Sequence, residues 1–185
     1  QNLPRLHNLF KKSLICNNAS TYDEKGNPIG GNITDRALLN FIKTKSVDYQ
    51  KLETIPFNSK DKFSVTKIKD IKEEKLIKGA PEVILKHCTS FYDKYGKKRR
   101  FYDKDKYQNK INSFTKQGIR VLALAINDNY DLNNTFLNLT LVGIVLIKDE
   151  VRKEAIEGIK LVNKAHIQTV MITGDNKDTA FFFFF

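Results

Sequence analysis

Residues 139–147, Leu-Thr-Leu-Val-Gly-Ile-Val-Leu-Ile, constrain the fold of this chain more than any other stretch. A run of this length without a charge predicts a strand buried on both faces, and such strands belong to sheets covered on two sides. Its uninterrupted apolar part, 141–147, is far too short to cross a bilayer. An amphipathic helix is predicted over 151–165 and a second buried strand over 167–172. Strand, helix, strand implies a parallel pair with a crossover. One such unit cannot cover its own faces, so it reads as an incomplete α/β segment.

Upstream the character differs. Residues 3–16 carry Leu6, Leu9, Phe10 and Leu14 at helical spacing, with lysines on the other face. Residues 17–33 are rich in Asn, Gly, Asp and Ser and read as a loop. A helix should then begin near Thr34 as N-cap, with Asp35 in its first turn and Ala37, Leu38, Phe41 and Ile42 buried. Segments 51–57 and 63–68 flank a turn at 58–61 and predict an antiparallel hairpin. A strand at 74–78 is broken by Gly79, and Pro81 opens a helix with Val83, Ile84 and Leu85 inside. A polar and aromatic connection over 89–102, a charged helix over 103–117 stopped by Gly118, a strand over 120–126 and a loop over 127–134 complete this part. The expected fold class is therefore α+β: an antiparallel sheet flanked by helices over 1–138, followed by a partial α/β segment over 139–180. Five phenylalanines close the chain at 181–185 and would expose a large apolar patch on any helix beginning there, so they read as a non-native tail.

Charge narrows the partners. The net charge of +11 favours anions, but it is spread along the chain. The one tight cluster, Lys97-Lys98-Arg99-Arg100, follows Tyr95-Gly96 and reads as a hairpin tip; no RNA- or DNA-binding motif accompanies it, and nucleic acid is not expected. With 41% hydrophobic and 29% charged residues the chain is not disordered. It has no basic-then-apolar leader pattern at its start and is expected to be soluble. Cys16 and Cys88 are far apart and lack metal-type spacing, so they read as free thiols in a reducing compartment.

Several short stretches carry the parts of a phosphate-handling site. Lys78-Gly79-Ala80-Pro81-Glu82 ends a strand on a lysine, removes a side chain where a ligand could touch backbone, and starts a helix. Pro56-Phe57-Asn58-Ser59 sets an aromatic beside a turn, with Lys62 after it. Gly31-Asn32-Ile33-Thr34-Asp35-Arg36 adds a carboxylate near a helix start. Arg120, in Gly118-Ile119-Arg120-Val121-Leu122-Ala123, opens a strand with a guanidinium. Met171-Ile172-Thr173-Gly174-Asp175-Asn176 places a hydroxyl, a glycine and a carboxylate at the end of a buried strand. A bland reading remains beside each: a surface lysine, a core Phe, an ordinary strand-to-helix turn.

Together, and in this order, these stretches resemble the cytoplasmic part of P-type cation-transporting ATPases, in the branch of the calcium and sodium/potassium pumps. The resemblance covers residues 14–180. It implies a nucleotide-binding domain over 1–138 and part of a phosphorylation domain, of haloacid dehalogenase-like type, over 139–180. The family's pattern implies that Phe57 stacks on adenine and that Lys62 and Lys78 line the adenine pocket and its phosphate side, with Gly79 among the ATP-binding positions. Asp35 stands where the family usually has a Glu that reaches the purine edge, and the resemblance implies that contact for the shorter Asp35. Arg120 would contact nucleotide phosphates, and Thr173, Gly174 and Asp175 would frame the γ-phosphate and magnesium. Asp149 and Arg152 occupy a hinge motif whose middle prolines are replaced here by Glu150 and Val151.

The family's nucleophile sits in Asp-Lys-Thr-Gly, which the sequence lacks, so no catalytic residue is expected in this chain, nor a metal site of its own. The implied whole is a membrane-embedded ATP-hydrolysing pump with phosphorylation, actuator and transmembrane domains, using ATP and Mg2+. The chain itself is expected to be a cytoplasmic part that binds adenine nucleotide. A stand-alone basic module for nucleotides or other anions is the alternative, and an independent haloacid dehalogenase-type hydrolase is disfavoured by the missing nucleophile.

Overall fold

The helical spacing at the start of the chain is realised in α1, Asn2–Cys16, whose Leu9 and Leu14 are buried. The structure, a computed structural model, describes residues 2–43, 49–70, 72–127, 136–148 and 153–170. The expected lysine face of α1 is not uniform. Lys11 is exposed, but Lys12 is buried with its ammonium bonded to the Asp70 carboxylate. A buried lysine is tolerable because it has that partner.

The expected loop at 17–33 contains a small hairpin of β1 (Ser20–Tyr22) and β2 (Pro28–Gly30). Side-chain-to-backbone bonds secure it to the helix that follows, α2 (Ile33–Ile42). Tyr22 Oη donates to the Leu39 carbonyl at 2.7 Å, and Arg36 Nη1 donates to the carbonyls of Gly30 and Gly31 at 3.0 Å. The N-cap is Asn32, not Thr34: Asn32 Oδ1 accepts from the Asp35 N–H at 2.8 Å. Asn caps more strongly than Thr, and α2 begins one residue before the expected cap. Leu38 and Ile42 are buried as expected and Ala37 is half-buried, whereas Phe41 is 70% exposed and Leu39, outside the expected stripe, is buried in its stead.

The remaining elements are β3 (Gln50–Ile55), β4 (Phe63–Lys69), β5 (Glu73–Gly79), α3 (Pro81–His87), β6 (Cys88–Tyr92), β7 (Lys98–Arg100), α4 (Lys104–Thr115), β8 (Ile119–Asn127), β9 (Leu139–Lys148) and α5 (Lys153–Lys164). Strands β3 to β9 form one seven-stranded sheet in the order β3-β4-β5-β8-β9-β6-β7. The molecule is thus α+β, a large sheet flanked by helices. The pairs β3/β4, β4/β5, β5/β8 and β6/β7 are antiparallel. The pair β6/β9 is parallel, which the expectation of an antiparallel sheet did not include. The intervening β7, α4 and β8 supply the long crossover that a parallel pair needs.

Strand β9 hydrogen-bonds between β8 and β6. The division expected at 138/139 therefore falls inside the sheet, between two of its strands. A fully apolar strand reports a central position in some sheet; it does not say which sheet. Leu139, Thr140, Leu141 and Val142 are buried, and exposure rises along 143–148. Of the second strand expected at 167–172, residues 167–170 are not in a strand, and 171–172 lie outside the described residues.

Residues paired across neighbouring strands share a face. Thr66, Leu76 and Ile126 lie on one face, and so do Ser64, Lys78 and Leu124. The C-terminus of α1 packs there: Thr66 Oγ1 donates to Cys16 O, and Asn17 Nδ2 donates to Leu76 O, both at 3.1 Å. On the other face Phe63 meets Phe136 edge-on, with ring centres 4.6 Å apart, and Phe136 lies 5.0 Å from the His87 ring at the end of α3. Cover on both faces explains why Ile68, Leu76, Ile77, Leu124 and Ile126 are all buried.

The 89–102 connection is a hairpin, and its basic cluster begins at the tip as expected. The Asp93 carboxylate organises that tip by accepting from Arg99 Nε and from the Tyr95 and Lys97 N–H groups, each at 2.9 Å. The Arg99 guanidinium and these amides hold its carboxyl below the usual range. Cys16 and Cys88 are buried free thiols, and burial pushes the Cys88 thiol up to about 12. No helix among the described residues is long and apolar enough to cross a membrane.

The chain divides into two compact units, Gln1–Gln108 with Leu122–Val145, and Asn109–Val121 with Leu146–Phe185. In the second, α5 is amphipathic as expected, and Ile156, Ile159, Leu161 and Val162 are exposed. Its end is turned by His166 at φ 56, and Thr169 Oγ1 lies 3.2 Å from Asn163 Oδ1.

Asn17 is the bolt between α1 and the sheet. Asn17→Ala should lower unfolding stability by about 2–3 kcal/mol, because buried backbone and hydroxyl groups lose their partner. Urea denaturation checks this; a loss below about 0.5 kcal/mol, the range of an inconsequential surface change, contradicts it.

Candidate functional site

The closest backbone approach in this region joins two of the sequence-predicted site residues. Gly79, the last residue of β5, pairs with Phe63, the first of β4. A Cβ on Gly79 would stand 2.4 Å from the Lys62 carbonyl oxygen and 2.7 Å from Phe63 Cβ. The close approach of the Lys62–Phe63 backbone therefore requires glycine here. The Lys62 carbonyl accepts from the Ala80 N–H at 2.9 Å, and the Lys62 N–H donates to Asn58 O at 2.9 Å. These bonds hold Lys62 at φ 61, in the left-handed region that side chains rarely adopt. Asn58 closes the turn before it, accepting from the Asp61 N–H and donating to the Asp61 carboxylate, both at 2.7 Å.

The Lys62 side chain, in contrast, reaches into solvent. Its ammonium lies 3.3 Å from Glu82 Oε1, and both side chains are about half exposed. Glu82 sits in the first turn of α3, where the helix dipole favours an acid. Glu82 belongs to the Lys78-to-Glu82 motif but carried no assigned role in the sequence reading. Its place as an acid in the first turn after Pro81 is legible in the sequence, but its pairing with Lys62 is not.

Phe57 follows β3 at the same end of the sheet. The register Ile55 to Val65 to Ile77, continued by Phe63 to Gly79, brings the segment after β3 level with Gly79. The Phe57 ring is 55% exposed. Leaving a large aromatic in water forgoes roughly 1.5–3 kcal/mol of burial. A core role for Phe57 is therefore ruled out.

Asp35 and Lys78 are brought together and are spent on each other. Lys78 Nζ lies 2.9 Å from Asp35 Oδ1, and both side chains are more than nine-tenths buried. Asn32 fixes the Asp35 backbone, Asn18 Nδ2 donates to the Asp35 carbonyl, and Ser64 Oγ donates to the Lys78 carbonyl. The pair ties the start of α2 to β5. Each charge is therefore compensated by the other within the fold.

Arg120 lies on β8 in the second compact unit and is half-buried. Thr173, Gly174, Asp175, Asp149 and Arg152 lie outside the described residues. Among the described residues there is no group of three His, Cys, Asp or Glu side chains placed to hold a metal ion.

A family model described as "P-type ATPase, cytoplasmic domain N" matches residues 5–154. The chain is 35% identical over 164 residues to calcium-transporting ATPase PAT1 of Dictyostelium discoideum, covering 81% of this chain and 15% of that protein. It is 33% identical over 190 residues to calcium-transporting ATPase 1 of Lactococcus lactis, covering 93% of this chain and 21% of the relative. Human plasma membrane calcium-transporting ATPase 3 is 32% identical over 173 residues, covering 81% and 14%. The chain thus spans about a fifth or less of the length of the relatives it matches.

Two stability predictions come from this geometry. Gly79→Ala should cost about 3 kcal/mol, because backbone, not a flexible side-chain end, must give way; a loss under 1 kcal/mol in urea denaturation contradicts the close approach. Asp35→Asn and Lys78→Met should each cost about 3–5 kcal/mol by leaving the partner's buried group uncompensated. Asp35→Leu combined with Lys78→Met should cost less than the sum of its two single changes, and simple additivity would contradict the pairing.

Proposed function

The chain belongs to the family of P-type ATPase cytoplasmic N domains, and we propose that it is the nucleotide-binding part of a pump that uses ATP to move a cation across a membrane. In this reading the substrate is adenine nucleotide, and calcium is the favoured cargo because the relatives are calcium-transporting ATPases. The observation that carries it is that Phe57, 55% exposed, immediately precedes the turn that leads into the half-exposed Lys62, so an exposed aromatic and a cation stand at the two ends of one short turn. Adenine offers a flat aromatic surface and its phosphates offer negative charge, so one ligand satisfies both.

Each residue then has a separate task. Phe57 stacks on the base, a contact of about 1–3 kcal/mol in aromatic stacking sites. Lys62 attracts phosphate as a point charge. Asp35 and Lys78 act as one bonded pair in the pocket wall, and Gly79 sets the position of Lys62. Arg120, Thr173, Gly174 and Asp175 are assigned to the phosphate end, with Asp149 and Arg152 at a hinge. Magnesium would accompany the nucleotide in the whole pump, with Asp175 and Thr173 the candidates to meet it. The described residues offer no donor set for it, and no step is assigned to the metal here.

Phosphoryl transfer to an aspartate is a nucleophilic step. This chain has no Asp-Lys-Thr-Gly motif, so the transfer is assigned to other parts of the pump, with actuator and transmembrane domains as further partners. Strand β9 belongs to the large sheet, and we accordingly place the division between the nucleotide-binding and phosphorylation parts beyond residue 148, within reach of Asp149 and Arg152. The pump would be membrane-embedded, with this part on the cytoplasmic side.

Calorimetric titration tests the reading. ATP and ADP should bind the folded chain, and Phe57→Ala should weaken both by about 5- to 150-fold, the loss of one stacking contact. A folded chain that binds no adenine nucleotide would refute the proposal.

A further inference from the structure

We propose that Glu82 competes with nucleotide phosphate for the Lys62 ammonium and so sets both the affinity of the site and its preference for phosphorylated ligands. This rests on the reading that Lys62 serves the nucleotide. The backbone of Lys62 is pinned at both its N–H and its carbonyl, and Gly79 closes against it. The point from which the side chain swings is therefore fixed, and only its rotamers are at liberty. The ammonium is 3.3 Å from the Glu82 carboxylate in a pair whose members are 55% and 52% exposed. A pair in that much solvent is held weakly and exchanges its partner readily. The contrast with Lys78 is informative: that ammonium is buried on Asp35 at 2.9 Å and cannot be released without leaving a buried charge alone. The site thus holds one fixed lysine and one exchangeable lysine.

The exchange has a direction. A phosphate group carries more negative charge than a carboxylate and offers more acceptor oxygens, so it displaces Glu82 from Lys62. Lys62 without Glu82 would attract any small anion. With Glu82 in place, a ligand must offset the loss of that pair. A nucleotide does so through base stacking on Phe57 together with its phosphates. Inorganic phosphate has no base, and adenosine has no phosphate with which to exploit the lysine. Glu82 thus lowers the affinity for every phosphorylated ligand and leaves adenosine untouched, so it narrows the margin by which the site prefers a nucleotide to its nucleoside.

The test compares the 185-residue chain with Glu82→Gln, Lys62→Met and the double variant, titrated calorimetrically at low salt with ATP, ADP and adenosine. Glu82→Gln should tighten ATP and ADP by about 2- to 5-fold, the range for one exposed ion pair, and leave adenosine unchanged. The gain should vanish in the Lys62→Met background. Raising salt should shrink the difference between the unaltered chain and Glu82→Gln. Glu82→Ala serves as a second removal of the carboxylate if Glu82→Gln disturbs α3. ATP affinity unaltered by both removals overturns this inference alone, as does an equal gain for adenosine or a gain that persists without Lys62. Absence of ATP binding to the unaltered folded chain overturns the proposed function and this inference together.

Discussion

The contact between Gly79 and the Lys62 carbonyl is the constraint on which the candidate site depends. It lets β4 and β5 close at their shared end, where any side chain on Gly79 would meet backbone at 2.4 Å. It aligns the Ala80 N–H with that carbonyl, and it leaves Lys62 in a conformation that would not persist alone. The turn from Asn58 to Asp61, the exposed ring of Phe57 and the first turn of α3 all take their positions around this join. A strained lysine is retained here because the surrounding bonds over-determine it.

Two lysines that look alike in a sequence therefore do different work. Lys78 is an internal strut: its charge is cancelled by Asp35 and its role is to hold α2 against the sheet. Lys62 has a rigid base and a solvated head. Both lie within the span matched by the P-type ATPase N-domain family, and only burial and partners tell them apart. The cost of desolvating an ammonium makes the difference, since it fixes the first partner and leaves the second exchangeable.

The sequence made much of the fold legible where periodicity had a single solution. The stripe of α1, the β3–β4 hairpin, β5 running into α3 behind Pro81, and β8 all follow from spacing and punctuation. The β1–β2 hairpin did not, because its bonds run from Tyr22, Ser20 and Arg36 side chains to backbone. Lys12 read as a surface residue because its partner, Asp70, is distant in sequence. Strand β9 was recognised as a strand, but the parallel pairing with β6 is a topological fact that hydrophobicity cannot carry. In the site, the motif named Lys78, Gly79 and Glu82 together. Spacing could not reveal that Lys78 turns to Asp35 or that Glu82 turns to Lys62, since both pairings cross between elements.

The order of the sheet has a further consequence at its margins. Its outer strands are β3 and β7. The first is exposed along its whole length, carries Lys51 and Glu53, and has its register shifted between them. The second is only Lys98, Arg99 and Arg100. Charge, brevity and a bulge are the devices by which open sheets resist adding strands from other molecules. An open sheet so bordered should remain dispersed at concentrations where an apolar edge would seed aggregation, and the lysine-rich margin contributes colloidal stability as well as any affinity for anions.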